Sequence, residues 1–569
     1  MRHSIFSFTI IIIMISMLGA GCKKSSDPVP TGNDPNPQIT GISPQNGPVG
    51  ANVTISGTDL SSESSDLSVT FNGTESDIIS ATLTSIQTTV PEGATSGVVS
   101  VTVRGTTING PSFTVEEPTP QISSITPDTA FVGEEITIRG TNFGEDSTEV
   151  SVIMSNITAN VVQFSDSLIL AEVVNPEGDT GPIDVEVIVN NTTSQIYNEF
   201  YILRITSVAT SEFHSCAITL EGNVYCWGDN EQGQLGNGST IDSVYPVSVE
   251  TPGGVTFTDI VAARYHTLAI DESGQVWGWG SNSAGQLGIG TSTNSTIPEM
   301  VLGLEGVSIE KVSTGIAHTL ALDVNGQIWA WGNNNSGRLG DGTEMDRLSP
   351  VQVSGPQNVV FNDVAAGVYH SVALDTDGQA WAWGNNAFGK LGDGTTVNRL
   401  VPTAVMMPTN VSFTNVAGGS DHTIALSSTD GVWAWGSNEI AQLGSGSMLS
   451  SATPVQVDFA VGSQIKTIMT GHYHNLAITS ENELWGWGSS SSGRLGAGFT
   501  TATVEAPTAL QTPENTGFYL LSANRNHSLA ISLGSSKVYA WGRNDNGQLG
   551  NGTTASVQST LQQVVFNIE

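Results

Sequence analysis

A histidine returns along the last two-thirds of this chain on a beat that few architectures can carry. It stands at His214, His266, His318, His370, His422, His474 and His527, five intervals of 52 residues and a last one of 53. The glycine of a Trp-Gly pair keeps nearly the same time, at Gly228, Gly280, Gly332, Gly384, Gly436, Gly488 and Gly542. A fixed period in this range marks a repeated unit that cannot bury its own apolar face and must lean on copies of itself. Within one copy apolar and polar residues alternate, glycine is frequent, and no run of helical length is amphipathic. Each unit therefore reads as a set of short strands.

The copies also fix their own register. Residues 271–275, Asp-Glu-Ser-Gly-Gln, form a hairpin with a three-residue loop in which Gly274 supplies the left-handed conformation. Asp271 then faces Gln275, Leu268 faces Gly278, Leu320 faces Ala330 and Val372 faces Ala382. In copies two to seven a large residue meets a small one at this point, which is a packing rule and not a chemical one. All 12 tryptophans lie in this region. Trp277 and Trp279, two apart on a strand, share one face. We read them as packing between units rather than as a sugar platform. We read the histidines as structural hydrogen-bonding residues rather than as seven catalytic bases. Gly-Gln-Leu-Gly-Ile-Gly at 285–290 recurs in most units and opens no helix, so it is a turn and not a phosphate cradle.

In the first unit the large and small positions are Cys216 and Cys226. The hairpin sets them opposite each other as a non-hydrogen-bonded pair, with alpha carbons expected roughly 4.5 Å apart. That is near the short limit for a disulfide. An exported chain meets an oxidising compartment, so a bond is expected. A zinc site with His214 would need a fourth ligand, and none is near in sequence. No metal, cofactor or catalytic residue is expected.

The chain opens with Arg2 and His3, then a mostly apolar stretch over residues 5–18. It is short for a bilayer span and fits the apolar region of a secretory signal. Gly19-Ala20-Gly21-Cys22 resembles a bacterial lipoprotein cleavage box. The resemblance implies a signal peptide over 1–21 and Cys22 as the lipid-bearing first residue. Several acyl chains hold firmly where one holds weakly. The implied place is the bacterial cell envelope, on the outer membrane and exposed at the surface. Residues 22–37 are polar and Pro-rich and read as an extended, disordered tether.

Residues 38–117 and 118–203 restate one another. Ile42-Ser43-Pro44, Gly50 and Val53-Thr54-Ile55-Ser56-Gly57 return as Ile125-Thr126-Pro127, Gly133 and Ile136-Thr137-Ile138-Arg139-Gly140. The closing strands, Val98 to Val103 and Pro182 to Val187, match as well. Strands of this length and spacing make a sandwich of two antiparallel sheets. Both stretches resemble the IPT/TIG immunoglobulin-like family, whose members act as spacers or binding modules.

From residue 204 to 569 the phrase Gly-x-x-Trp-x-Trp-Gly-x-Asn-x-x-Gly-Gln-Leu-Gly resembles the regulator of chromosome condensation repeat family. Seven copies imply a seven-bladed β-propeller. The expected fold is thus all-β: two immunoglobulin-like β-sandwiches followed by a seven-bladed β-propeller. A ring must hide its first and last edges. We expect residues 561–568 to close it by joining the sheet begun by residues 205–210.

Function is less legible. A formal net charge of −36 and a sequence pI near 4.3 oppose a nucleic-acid partner. The family includes a guanine nucleotide exchange factor. The steady beat leaves no room here for the large insertions that such activity implies. Fold alone does not decide. The expectation is a non-catalytic, lipid-anchored surface protein whose propeller binds a protein or glycan through variable loops such as 344–348 and 396–400. The alternative, a polysaccharide-acting enzyme, needs two carboxylates converging at the axis of the ring.

Overall fold

The computed structural model describes residues 36–566, apart from 145, 175–181, 430, 497, 499–500 and 514–515. Cys22, the expected signal peptide and nearly all of the expected tether lie outside the described residues. Strands and single 3-10 turns make up the regular structure that is described. The chain divides into two compact units, residues 1–118 and 119–569.

The first unit holds one sandwich. One sheet runs Gln38–Ser43, Asn52–Thr58, Ser85–Thr89, Ile78–Ala81. The other runs Asn46–Gly47, Thr106–Val115, Gly97–Val103, Leu67–Phe71, Thr74–Ser76. Alternation decides what is inside: Val53, Ile55, Val69, Phe71, Val99 and Val101 are buried. Phe71 meets Phe113 edge to face at 5.2 Å. The second unit opens with a sandwich of the same strand order, built on Ile136, Ile138, Val152, Val185 and Phe200. Pro44 and Pro127 both follow cis peptide bonds.

Seven four-stranded sheets follow, each made from one contiguous stretch of chain. The second blade pairs Phe257–Ala262, His266–Asp271, Val276–Gly280 and Ser295–Met300 in that order, every pair antiparallel. Its hairpin has Leu268 opposite Gly278, and the third and fourth blades have Leu320 opposite Ala330 and Val372 opposite Ala382. The Trp-Gly glycine is required by its surroundings. Gly280 has φ +95°, and a Cβ there would lie 2.4 Å from the carbonyl of Tyr265.

Between blades one junction is repeated. The tryptophan before each Trp-Gly glycine is buried, and Trp227, Trp279, Trp331 and Trp541 donate their indole N–H to a carbonyl of the preceding blade's Gly-x-Leu-Gly turn at 2.8–3.0 Å, while those of Trp383, Trp435 and Trp487 have no partner among the described residues. The residue after each histidine donates to that same carbonyl: Thr267 to Gln234, Thr423 to Lys390, Asn475 to Gln442. It also receives the histidine of the preceding blade. His214 Nε2 lies 2.8 Å from Thr267 Oγ1, His370 Nε2 2.8 Å from Thr423 Oγ1, and His422 Nε2 2.8 Å from Asn475 Oδ1. An amide oxygen only accepts, so His422 carries its proton on Nε2. The hydroxyls have spent their own proton on the carbonyl, so their histidines do the same. His318, His474 and His527 make the matching contact, while the ring nitrogens of His266 have no partner.

The ring closes by this junction and not by a shared strand. The expected closure is corrected: Val557–Gln563 is the outer strand of the seventh blade, on Val538–Arg543, and Ile205–Thr210 pairs with His214–Thr219. Every blade already has four strands of its own, so no edge is left for the terminus to fill. Blade seven meets blade one through side chains and through one main-chain bond, from the Gly552 N–H to the carbonyl of Val244 at 3.1 Å. Trp227 donates to Gln548, Ser215 bridges His527 and Gln548, Tyr519 donates to the carbonyl of Ile205, and Asn524 to that of Thr210. The tail still matters: Val564 is buried beside Trp227, and Phe566 meets Trp227 at 5.9 Å and Phe131 of the second sandwich at 5.6 Å.

Two outcomes follow. Val564→Ala removes two buried methyl groups from this seam and should lower unfolding free energy by about 2 kcal/mol, read as a lower denaturation midpoint. Acid should act through the histidines. Burial holds His214, His266 and His527 near a pKa of about 3 and His422 near about 4, against 6.5 when unfolded. The unfolded chain therefore binds more protons below pH 6.5. Stability is full above that value and is lost as pH falls toward 4, by about 1.4 kcal/mol per pH unit for each such histidine. Melting temperatures across pH 4 to 8 check this; a flat profile below pH 6 would contradict the neutral ring.

Candidate functional site: the loop face and channel mouth

Antiparallel strands put the connections between strands one and two, and between three and four, on one side of the ring. We call this the loop face. The hairpins between strands two and three lie on the opposite side, where the chain enters at Ile205 and where Phe131 and Leu203 pack beside Trp227. Glu134 of the second sandwich accepts a hydrogen bond from Gln563 at 2.7 Å. The sandwich thus engages the far side and leaves the loop face open.

In six of the seven blades the long loop after Leu-Gly is held by one buried asparagine that sequence reasoning passed over; the sixth blade has Ser490 there. Asn334 Oδ1 accepts from the Leu339 N–H at 2.9 Å, and its amide donates to Asp341 and Thr343. Asn230, Asn282, Asn386, Asn438 and Asn544 do the same work in their blades. The signal was present: this asparagine recurs two places after the Trp-Gly glycine. In loop 344–348, Arg347 clamps Asp341 at 2.9 Å; in loop 396–400, Arg399 clamps Asp393 at 2.8 Å. These clamped loops present Met345 and Val397 to solvent, each about 60% exposed.

Down the axis runs a cavity of about 440 Å³ lined by the first strands of all seven blades. Its waist is made of small and apolar residues, including Ala209, Val261, Ala365, Ala417 and Met469. Toward the far side Asp363 binds Lys311 and accepts from Asn415 at 3.2 Å, while Ser207 donates to Asp259 at 3.1 Å.

The mouth at the loop face is different. Glu212, buried, stands between Arg525 and Arg264, the latter at 3.2 Å. The Arg264 guanidinium lies over the rings of Phe213 and Tyr265, which stack on each other at 5.3 Å. Arg338 and Lys390 both lie 5.5 Å from the Tyr369 ring, and Lys390 pairs with Asp421 at 2.6 Å. These last cations occupy the variable place in Gly-x-Leu-Gly, where four blades carry Gln234, Gln286, Gln442 and Gln548 and three carry Arg338, Lys390 and Arg494. Burial and the nearby Arg525 push Arg494 down to about 10. Burial, then Arg525 and Arg494, push the partly buried His472 down to about 3. The empty mouth is thus an electropositive spot on an acidic chain.

Cys216 and Cys226 lie opposite each other in the first hairpin, buried and joined, with alpha carbons 4.0 Å apart. Their place is the blade interior, far from the mouth in chemical role. Among the described residues no three His, Cys, Asp or Glu side chains gather into a metal site.

Comparison with known proteins agrees with this geometry. A model described as RCC1-like domain matches residues 175–412, and models described as regulator of chromosome condensation (RCC1) repeat match 429–478 and 535–563 and, separately, 413–439, 465–494 and 520–548. The IPT/TIG domain model matches 37–115 and 120–201. The chain is 32% identical over 351 residues to the ultraviolet-B receptor UVR8 of Arabidopsis thaliana, covering 61% of this chain and 79% of the receptor. It is 28% identical over 341 residues to the E3 ubiquitin-protein ligase HERC2 of Homo sapiens, but spans only 7% of that protein. Among solved structures, Prp20p of Saccharomyces cerevisiae aligns with a TM-score of 0.56 at 22% identity, over 62% of this chain and 87% of that one. Human WBSCR16 aligns at 0.54 and 21%, over 63% and 93%. With its seven matching blades, the chain belongs to the regulator of chromosome condensation (RCC1) repeat family, here carried behind two IPT/TIG domains.

Proposed function

We propose that this chain is a non-catalytic binding protein of the bacterial cell envelope, anchored by lipid at Cys22, whose propeller takes a protein ligand on its loop face. One observation carries the reading. The residues that repeat are consumed in holding blade to blade, while the charged and aromatic residues that break the repeat gather at the loop face. The known relatives point the same way: one is named a receptor, and yeast RCC1 has been solved bound to Kap60. The axial carboxylates are engaged: Glu212 and Asp421 are ion-paired at the mouth, and Asp259 and Asp363 are hydrogen-bonded at the far end. A glycosidase would want one of a pair free to give or take a proton. The sandwiches then serve as spacers, and the Cys216–Cys226 bond as a clasp set in the exported form.

A photo-crosslinking residue at Met345 or Val397, on the loop face, should capture the ligand in intact cells. The same residue at Val324 or Leu533, on the far hairpins, should not. Capture from the far hairpins alone would overturn the assignment of the face. Cys22→Ser should move the chain from the membrane fraction to the soluble one; unchanged membrane retention would refute the anchor. Alkylation of the full chain without reductant should leave Cys216 and Cys226 unlabelled by mass, and two labelled thiols there would refute the clasp.

A further inference from the structure

Building on the loop face as the binding face, we infer that the mouth of the axial channel is a docking point for a carboxylate-rich peptide segment of the ligand. The chain carries 17 Lys and Arg against 53 Asp and Glu. Yet Arg264, Arg338, Lys390, Arg494 and Arg525 stand together around one opening; among the described residues Glu212 and Asp421 are ion-paired to them, and Asp346 acts on Arg338. Arg264 and Arg525 are the accessible members, with side chains 38% and 40% exposed. Nε of Arg264 has no hydrogen-bond acceptor, although Glu212 lies beside it. Arg338, Lys390 and Arg494 are buried and act through their field, which low-dielectric walls focus into the opening.

The aromatic rings explain why the ligand is a peptide rather than a sugar. A sugar-binding platform needs an open ring face. Here the faces of Phe213, Tyr265 and Tyr369 are taken by the cations above them. The rings fix the cations in place, which lowers the ordering cost of binding an anion. Farther out on the same face, on the connections between third and fourth strands, stand aliphatic and aromatic side chains suited to the apolar residues of a peptide. Phe388 is the clearest. It is 45% exposed and holds φ +62°, a conformation that bulky residues rarely adopt. Serines, Ser336 and Ser492, occupy the matching place in the third and sixth blades. Met345, Val397 and Leu449 stand exposed on the neighbouring loops.

The test measures binding of a decaglutamate peptide to the full chain by calorimetry, at low and at physiological salt. Two triple variants probe the mouth. Arg338→Gln with Lys390→Gln and Arg494→Gln installs the residue that four other blades already carry, so the ring keeps its turns. Glu212→Gln with Arg264→Gln and Arg525→Gln removes the accessible cations together with their buried counter-charge. Lys466→Gln, exposed on the far side, removes one positive charge elsewhere. Decaglutamate should bind the parent chain, more weakly as salt rises, about tenfold more weakly to either triple variant, and equally well to Lys466→Gln. Failure of the parent to bind, with loop-face crosslinking intact and indifferent to the triple variants, would overturn this inference and leave the binding face standing. Loss of loop-face crosslinking would remove both. Equal weakening by Lys466→Gln would mean diffuse attraction and would refute the site. Tighter binding of polygalacturonate than of decaglutamate would replace the peptide by an acidic glycan.

Discussion

Everything in the propeller depends on the hand-over between blades: one carbonyl of the turn before Leu-Gly, accepting the hydroxyl or amide that follows the next blade's histidine and, at four of the seven junctions, the buried indole N–H as well. Each neutral hydrogen bond contributes only about 1 kcal/mol net. Burying a whole indole contributes more, about 2–3 kcal/mol. The apolar contact therefore stabilises the ring, and the polar contacts set its spacing. A blade rotated by one residue would bury the same indole but leave a carbonyl, a hydroxyl and an imidazole without partners, each costly in a dry interior. The near-constant repeat length reflects that constraint: the histidine and the carbonyl arrive together at six of the seven junctions.

Much of this was legible before any coordinates. The beat of His214 to His527 gave the number of blades, the loop at 271–275 gave the hairpin register, and Leu268 against Gly278 gave the packing rule. Local spacing decides such features, so a sequence carries them openly. Closure was read wrongly because it depends on how many strands one repeat supplies, and the period does not say where a blade begins. The buried asparagine of six long loops was visible as a letter and silent as a role. Its three partners lie five to eleven residues away on irregular backbone.

The mouth of the channel was hidden for a different reason. Glu212 and Arg525 are 313 residues apart, and only the curvature of the ring brings them together. Against the repeat, Arg338, Lys390 and Arg494 look like tolerated variation at a glutamine position. Placed on the ring, they sit around one axis. Departures from a repeat carry function more often than the repeat does, because the shared residues are already committed to the frame.

Because each blade is spun from a single uninterrupted stretch, the seam between the last blade and the first is joined by the same kinds of bond as the other junctions, with the second sandwich packed against it in addition. The seam's main-chain bond, Gly552 N–H to the Val244 carbonyl, is the one that Gly238 makes to Thr296 and Gly290 to Leu348 at other junctions. A chain permuted to begin at another blade would keep each blade whole but would part the second sandwich from the seam on which its Phe131 packs.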